Sequence, residues 1–220
     1  AFNRLVTTAG ADWREAAMLR AVASYLRQIG APFGQGYVAA TLQRHAGVAR
    51  DLIELFRTRF DPALRLDMAA RTERETAIVA RIEGALAGVT SLDEDRILRR
   101  CVNVLRAILR TNYFLKGPNG SPPPVLAFKI ESKKVDELPE PRPYREIWVS
   151  GPRVEGIHLR FAPIARGGIR WSDRAQDFRT EVLGLCKAQQ VKNTVIVPSG
   201  SKGGFVPRRM PRTGSREEIM

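Results

Sequence analysis

The stretch Lys116-Gly-Pro-Asn-Gly-Ser-Pro-Pro-Pro124 constrains the fold most, because four prolines in nine residues suit neither a helix interior nor a central strand. The hydrophobic period changes across it. Upstream, Trp13, Ala17, Leu19, Val22, Tyr25, Leu26 and Ile29 recur at steps of three and four, predicting a helix from Asp12 that Gly30-Ala31-Pro32 ends. Further helices are predicted from Gly36 to His45, from Val48 to Phe60, from Met68 to Ala87 and from Ser91 onward. The last opens with a Ser91/Glu94 capping box and carries Ile97, Leu98, Cys101, Val104, Leu105, Ile108 and Leu109. Downstream, Leu126, Phe128 and Ile130 alternate with Ala127 and Lys129, and Ile147-Trp148-Val149 and Ile157 to Phe161 also read as strands. Asp177 to about Lys192 is helical again, with Phe178, Glu181, Val182, Leu185 and Gln189 at matching spacing, and Thr194 to Val197 follows as a short buried strand. The expected fold is therefore α+β to α/β, with a helical region over residues 1–120 and an incomplete α/β unit over 121–220.

A chain of 220 residues, 44% hydrophobic, can bury a sizeable core, which excludes collagen-like, disulfide-scaffold and wholly disordered classes. No apolar run reaches the roughly 18 residues of a membrane-spanning helix, and AFNRLVTTAG lacks the pattern of a secretory signal, so a soluble, cytoplasmic setting is expected. Cys101 and Cys186 stand far apart without a CxxC, as expected of reduced thiols. The net charge of +13 is spread evenly, with 18 basic against 12 acidic residues in 1–120 and 18 against 11 in 121–220. That distribution describes a solvated basic surface better than a nucleic-acid arm. The chain starts at Ala1, and Ser215-Arg216-Glu217-Glu218 forms a second capping box just before its end. Both features predict a piece of a longer polypeptide.

The chemistry concentrates between Phe161 and Phe205, where two glycine-rich basic turns occur, Ala165-Arg166-Gly167-Gly168-Ile169-Arg170 and Pro198-Ser199-Gly200-Ser201-Lys202-Gly203-Gly204. Each sets a long cation beside residues without a Cβ, so that backbone and charge can both approach a small ligand. Lys192 is expected at a helix C-terminus and Lys202 just past a strand's carboxyl end, where open α/β sheets bind ligands. Converging cations imply an anionic substrate, a carboxylate or dicarboxylate. A lysine held among cations and shielded from water loses affinity for its proton, which equips Lys202 for proton exchange. Lys202 is followed by Gly203 rather than Ser or Thr, so the second turn is not a phosphate loop, and no GxGxxG occurs. Any nicotinamide-binding domain must therefore lie outside these residues. Elsewhere, Arg170, Asp173 and Arg174 are expected to pair locally. His158 is read as solvent-facing or satisfied in the core, and His45 as a helix-end charge.

The run FAPIARGGIRWSDRAQDFRTEVLGLCKAQQVKNTVIVPSGSKGGF resembles the substrate-domain signature of the large-subunit class of bacterial NAD-specific glutamate dehydrogenases. The match runs through ARGGIRWSDR, DFRTEV, KAQQVKN and GSKGGF over about 45 consecutive residues. The resemblance implies oxidative deamination of L-glutamate to 2-oxoglutarate and ammonia with hydride transfer to NAD, by a homo-oligomeric parent. It implies that Lys202 is the catalytic lysine and that Lys192 holds the substrate α-carboxylate. Arg166, with Gly167 and Gly168, occupies the place where the smaller glutamate dehydrogenases carry a lysine before Gly-Gly. Here Arg replaces Lys, and Lys192 and Lys202 stand two residues closer; a guanidinium clamps a carboxylate but does not titrate. The cofactor site and catalytic acid are expected outside the chain, which alone should be inactive. The competing expectation is a basic helical module that binds nucleic acid or an acidic partner, with steep salt dependence.

Overall fold

Capping residues fix where three of the longer helices begin. The computed structural model describes residues 1–192 and 200–209, the side chains of 190–192 excepted. Helix α1 (Leu5–Thr8) is a single turn. Helix α2 (Trp13–Gln28) opens at Asp12, whose carboxylate accepts from the Arg14 and Glu15 amides at 2.7 Å while Glu15 accepts from the Asp12 amide at 2.9 Å. Gly30, at φ +91°, turns the chain after it. Helices α3 (Gln35–Arg44), α4 (Ala46–Phe60), α5 (Met68–Leu86) and α6 (Leu92–Ala107) follow. Asp67 caps α5 through the Ala70 amide at 2.8 Å, and Ser91 caps α6 through the Glu94 amide at 3.4 Å. The periodic residues form the core: Leu19, Val22 and Tyr25 of α2, Leu52, Leu55 and Phe56 of α4, and Ile97, Leu98, Cys101 and Leu105 of α6 are all buried. Trp13, expected on that face, is 68% exposed, because the buried stripe of α2 starts one turn later at Ala16.

Ile108 and Leu109, expected to continue α6, instead begin strand β1 (Ile108–Thr111). Tertiary pairing overrides the helical spacing here: Ile108 is fully buried opposite Ile130, and the Glu131 amide donates to the Ala107 carbonyl at 2.8 Å. The first strand therefore precedes the proline-rich break. Strands β2 (Leu126–Ile130), β3 (Arg145–Ser150) and β4 (Val154–Arg160) continue an antiparallel meander, and β5 (Ile169–Trp171), α7 (Phe178–Lys192) and β6 (Ser201–Pro207) complete the order β1-β2-β3-β4-β6-β5. Strand β6 lies antiparallel to β4 and parallel to β5, so β5-α7-β6 is a single crossover unit at one edge of a mixed sheet. The expected strand over 194–197 and the second capping box at Ser215 lie outside the described residues.

Helices cover one sheet face. Trp148 is fully buried on it, donates from its indole to the Ala21 carbonyl of α2 at 3.0 Å, and stacks on Phe178 of α7 with centroids 5.9 Å apart. Alternation places Phe128, Ile157 and Leu159 on the same face, and His158 and Ile147 on the other. Many arginines of the helical layer pair with neighbouring helices, as Arg59 does with Glu75 at 2.6 Å and Arg81 with Asp51 at 2.8 Å and Glu54 at 2.5 Å. Both cysteines are free and buried. No helix among the described residues is long and apolar enough to cross a membrane.

Candidate active site

The two glycine-rich stretches, far apart in sequence, lie side by side. The Ser201 amide donates to the Arg166 carbonyl at 3.1 Å, the Gly203 amide donates to the Gly168 carbonyl at 3.0 Å, and Arg166 bridges Gly200 in the parallel sense. The second stretch is not the loop its glycines suggest. From Ser201 onward it is strand, and Lys202 is the second residue of β6. Lys202 thus stands at the amino end of β6, beside the carboxyl end of antiparallel β4 and level with the segment that leads into β5.

Most of the glycines serve close packing. A Cβ on Gly167 would fall onto the Ser201 carbonyl, one on Gly204 would sit 2.5 Å from a Val182 methyl, and one on Gly200 would sit 2.9 Å from the Gln189 amide oxygen. Such approaches are far inside van der Waals contact, so these positions admit α7 and the 166–168 segment against β6. Gly168 differs, since a Cβ there would meet nothing within 4 Å. Carrying the Ile169–Gly203 and Arg170–Gly204 pairs back by one step sets Gly168 beside Lys202, with Arg166 and Arg170 on either side along the same face. Lys202 therefore borders open space on the Gly168 side. Arg166, Gly167, Gly168 and Arg170 are exposed and Lys202 is half-buried. Among the described residues no carboxylate pairs with Arg166, Arg170 or Lys202.

Lys202 is backed by apolar and thiol groups. It pairs with buried Leu159 across the β4–β6 ladder, and its amide and charge act on Cys186 of α7. Burial pushes the Cys186 thiol up to about 11, against the pull of Lys202 and Arg179. Cys186 is thus a neutral, inert contact. Lys192 is the last residue of α7, and its side chain lies outside the described residues.

One cluster next to this site was not read from the sequence. Arg179 and Glu146 are both fully buried and form a two-pronged pair, with Nε–Oε2 at 2.9 Å and Nη2–Oε1 at 2.5 Å. The Tyr25 hydroxyl donates to Glu146 at 3.1 Å, and the Gln28 side chain accepts from the Arg179 amide at 3.1 Å. Burial and the Glu146 charge together push the Tyr25 phenol well above its ordinary value, so it stays a donor. The pair ties α2, β3 and α7 together. Alternation signalled it: Glu146 shares its face with Trp148, so a buried acid in need of a cation was implied. In the register Glu146, Leu159 and Lys202 form one row across β3, β4 and β6.

The other candidates resolve simply. Arg174 pairs with Asp177 rather than with Asp173, its Nε 3.0 Å from Oδ1. His45 is 2.6 Å from Glu94. Burial, and then the nearby charge of Arg160, lower the His158 pKa and keep the ring neutral. The crossover unit does not fit a dinucleotide. The turn between β5 and α7 carries no glycine, and Asp177 and Glu181 place carboxylates at the start of α7, where a pyrophosphate would need open amides. No step of the chemistry is therefore assigned to NAD at these residues.

A crossover unit at the edge of an otherwise antiparallel sheet brings Lys202 level with Gly168, between Arg166 and Arg170, the segment in which the glycine-rich motifs meet. Two family models cover most of the chain: residues 81–220 match "Bacterial NAD-glutamate dehydrogenase, catalytic domain", and residues 1–62 match "Glutamate dehydrogenase, helical motif 3". The chain belongs to the bacterial NAD-glutamate dehydrogenase family. It is 54% identical over 219 residues to the NAD-specific glutamate dehydrogenase of Pseudomonas aeruginosa, which covers 100% of this chain and 14% of that protein. It is 52% identical over 217 residues to the enzyme of the same name from Halomonas elongata, covering 99% of this chain and 13% of that one. The Mycobacterium tuberculosis counterpart is 49% identical over 211 residues, covering 96% and 13%. The chain thus spans about one seventh of the length of these relatives.

Proposed function

We propose that this chain supplies part of the substrate site of an NAD-dependent glutamate dehydrogenase, which oxidatively deaminates L-glutamate to 2-oxoglutarate and ammonia. The observation that carries this reading is the open gap at Gly168 beside Lys202, flanked by Arg166 and Arg170. A substrate with two carboxylates suits a sheet edge where cations stand together and, among the described residues, no carboxylate pairs with them. In this reading Lys202 is the catalytic residue, holding a proton at Nζ for exchange with the substrate nitrogen or the attacking water. Lys192 holds the α-carboxylate, and Arg166 clamps a carboxylate with its planar fork. Gly168 leaves room for the substrate, while Gly167 lets its own segment lie against Ser201. Residues 121–220 begin the substrate domain, and residues 1–120 buttress it. NAD accepts the hydride at a site formed by other parts of a cytoplasmic, homo-oligomeric parent.

The test is an assay of the full-length polypeptide that carries this sequence, alongside the 220-residue chain alone. Glutamate-dependent reduction of NAD is expected from the former and none from the latter. Failure of the full-length protein to oxidise glutamate, or activity in the 220 residues alone, contradicts the proposal.

A further inference from the structure

Strand β5 is an edge strand, and among the described residues nothing pairs with its outer side. The Arg166 and Gly168 carbonyls accept from the Ser201 and Gly203 amides, and the Ser172 amide donates to the Phe205 carbonyl. Successive residues of a strand point their backbone groups to opposite sides, so Ile169 and Trp171 turn theirs away from β6. An open edge of this kind is a template for another strand.

The sheet face turned away from the helices is open too, and it is largely apolar. Register sets Ile147 and Ile169 in one row with His158, and Val149, Phe205 and Trp171 in the next. Ile147, Ile169 and Trp171 are 37%, 70% and 42% exposed, whereas Trp148, Ile157 and Leu159 on the helix-covered face are 3% exposed or less. A solvated sheet face carries polar residues at alternate positions, and strands apolar on both sides belong to a sheet covered on both faces. Apart from His158, polar side chains on this face of β3 and β4 return only one row further on, at Arg145 and Arg160.

What closes the edge and the face follows from the order of the strands. Strand β6 ends at Pro207, and the Ser215-Arg216-Glu217-Glu218 capping box shortly after it predicts a helix. Strand β4 already fills the far side of β6, so the free parallel position nearest that helix is the outer edge of β5. Crossovers between parallel strands are right-handed. Passing from β5 to β6 puts α7 on the helix-covered face, where Val182 packs on Gly204. Passing back beyond β5 with the same hand puts the next helix on the opposite face. We propose that the polypeptide after β6 closes this end of the sheet. Its helix from Ser215 lies on Phe205, Trp171 and Ile169, and its next strand pairs parallel to β5. The proposal rests on the reading that the chain is part of a longer glutamate dehydrogenase polypeptide.

The test places the photo-crosslinking residue p-benzoylphenylalanine at Trp171 or at Ile169 of the full-length protein, with the captured peptides identified by mass spectrometry. Mixing isotopically labelled and unlabelled protein separates links within one chain from links between copies. Links within one chain are expected, to peptides inside the roughly 40 residues that begin at Ser215, the span of a helix and its following strand. In the unsubstituted protein the Ile169 and Trp171 amides should exchange with solvent at least about 100-fold more slowly than unstructured amides. Links to a second copy, links only to a distant part of the chain, or exchange of both amides at the unstructured rate overturns the proposal. Oxidation of glutamate by the same unsubstituted protein is scored separately. Activity without the expected links defeats the docking alone, and the expected links without activity defeat the functional reading alone.

Discussion

Gly167 and Gly168 are neighbours in the chain with opposite surroundings, and they make the sharpest residue-level prediction. Gly167→Ala drives a methyl into the Ser201 backbone and should cost about 1–3 kcal/mol of stability, the usual range for overpacking. Gly168→Ala meets open space, so the midpoint of thermal unfolding should hold while the KM for glutamate rises. A stable Gly167→Ala protein, or an unchanged KM in Gly168→Ala, contradicts the assignment. His158 gives a pH test. Its folded pKa lies below the ordinary 6.5 because burial, and then Arg160, disfavour the imidazolium. The unfolded chain therefore takes up a proton first as pH falls, and the stability present above 6.5 is lost as pH drops toward the folded value. Denaturant midpoints measured between pH 7 and 5 should decline less steeply in His158→Gln than in the parent; identical slopes contradict this. In sequence the glycines are of one kind, each able to admit a ligand to the backbone. Which of them packs and which opens depends on strand register, which no local pattern contains.

At the scale of elements, the buried Arg179–Glu146 pair fastens α7 to β3. Glu146→Gln should cost about 3–5 kcal/mol, because it strands a buried guanidinium, whereas Glu146→Leu combined with Arg179→Met should cost less than the sum of the two single changes. Additive losses in that double-mutant cycle argue against a coupled pair. Most helices were legible from their apolar spacing, as the Leu52/Leu55/Phe56 face illustrates, and α6 also from its Ser91 cap. The end of α6 was not legible. Ile108 and Leu109 keep the helical period, and only pairing with β2 turns them into strand. The same holds for β6, where Gly203 and Gly204 read as a loop but are strand residues, with Val182 of α7 occupying the space of the side chain that Gly204 lacks.

For the whole molecule, a helical layer and a mixed sheet share one buried face, and the cations of the candidate site gather at the edge where β5 and β6 run parallel. The dense motif from Phe161 to Phe205 made the family legible from sequence, and the family models bear that out. The separation of 166–168 from 200–203 hid the gap between them, since only the fold brings the two together. The absence of a glycine turn before α7, with acids at its start, makes a further prediction: the 220-residue chain should show no saturable NAD binding by calorimetry, while the full-length protein binds it. Micromolar binding to the short chain contradicts this. The central claim is that Lys202 performs the proton work on glutamate. The most direct measurement is kcat of the full-length enzyme carrying Lys202→Ala, with circular dichroism and NAD affinity recorded on the same preparation. The account predicts a fall in kcat of about 10²–10⁴-fold with spectrum and NAD affinity unchanged; a kcat within tenfold of the parent contradicts it.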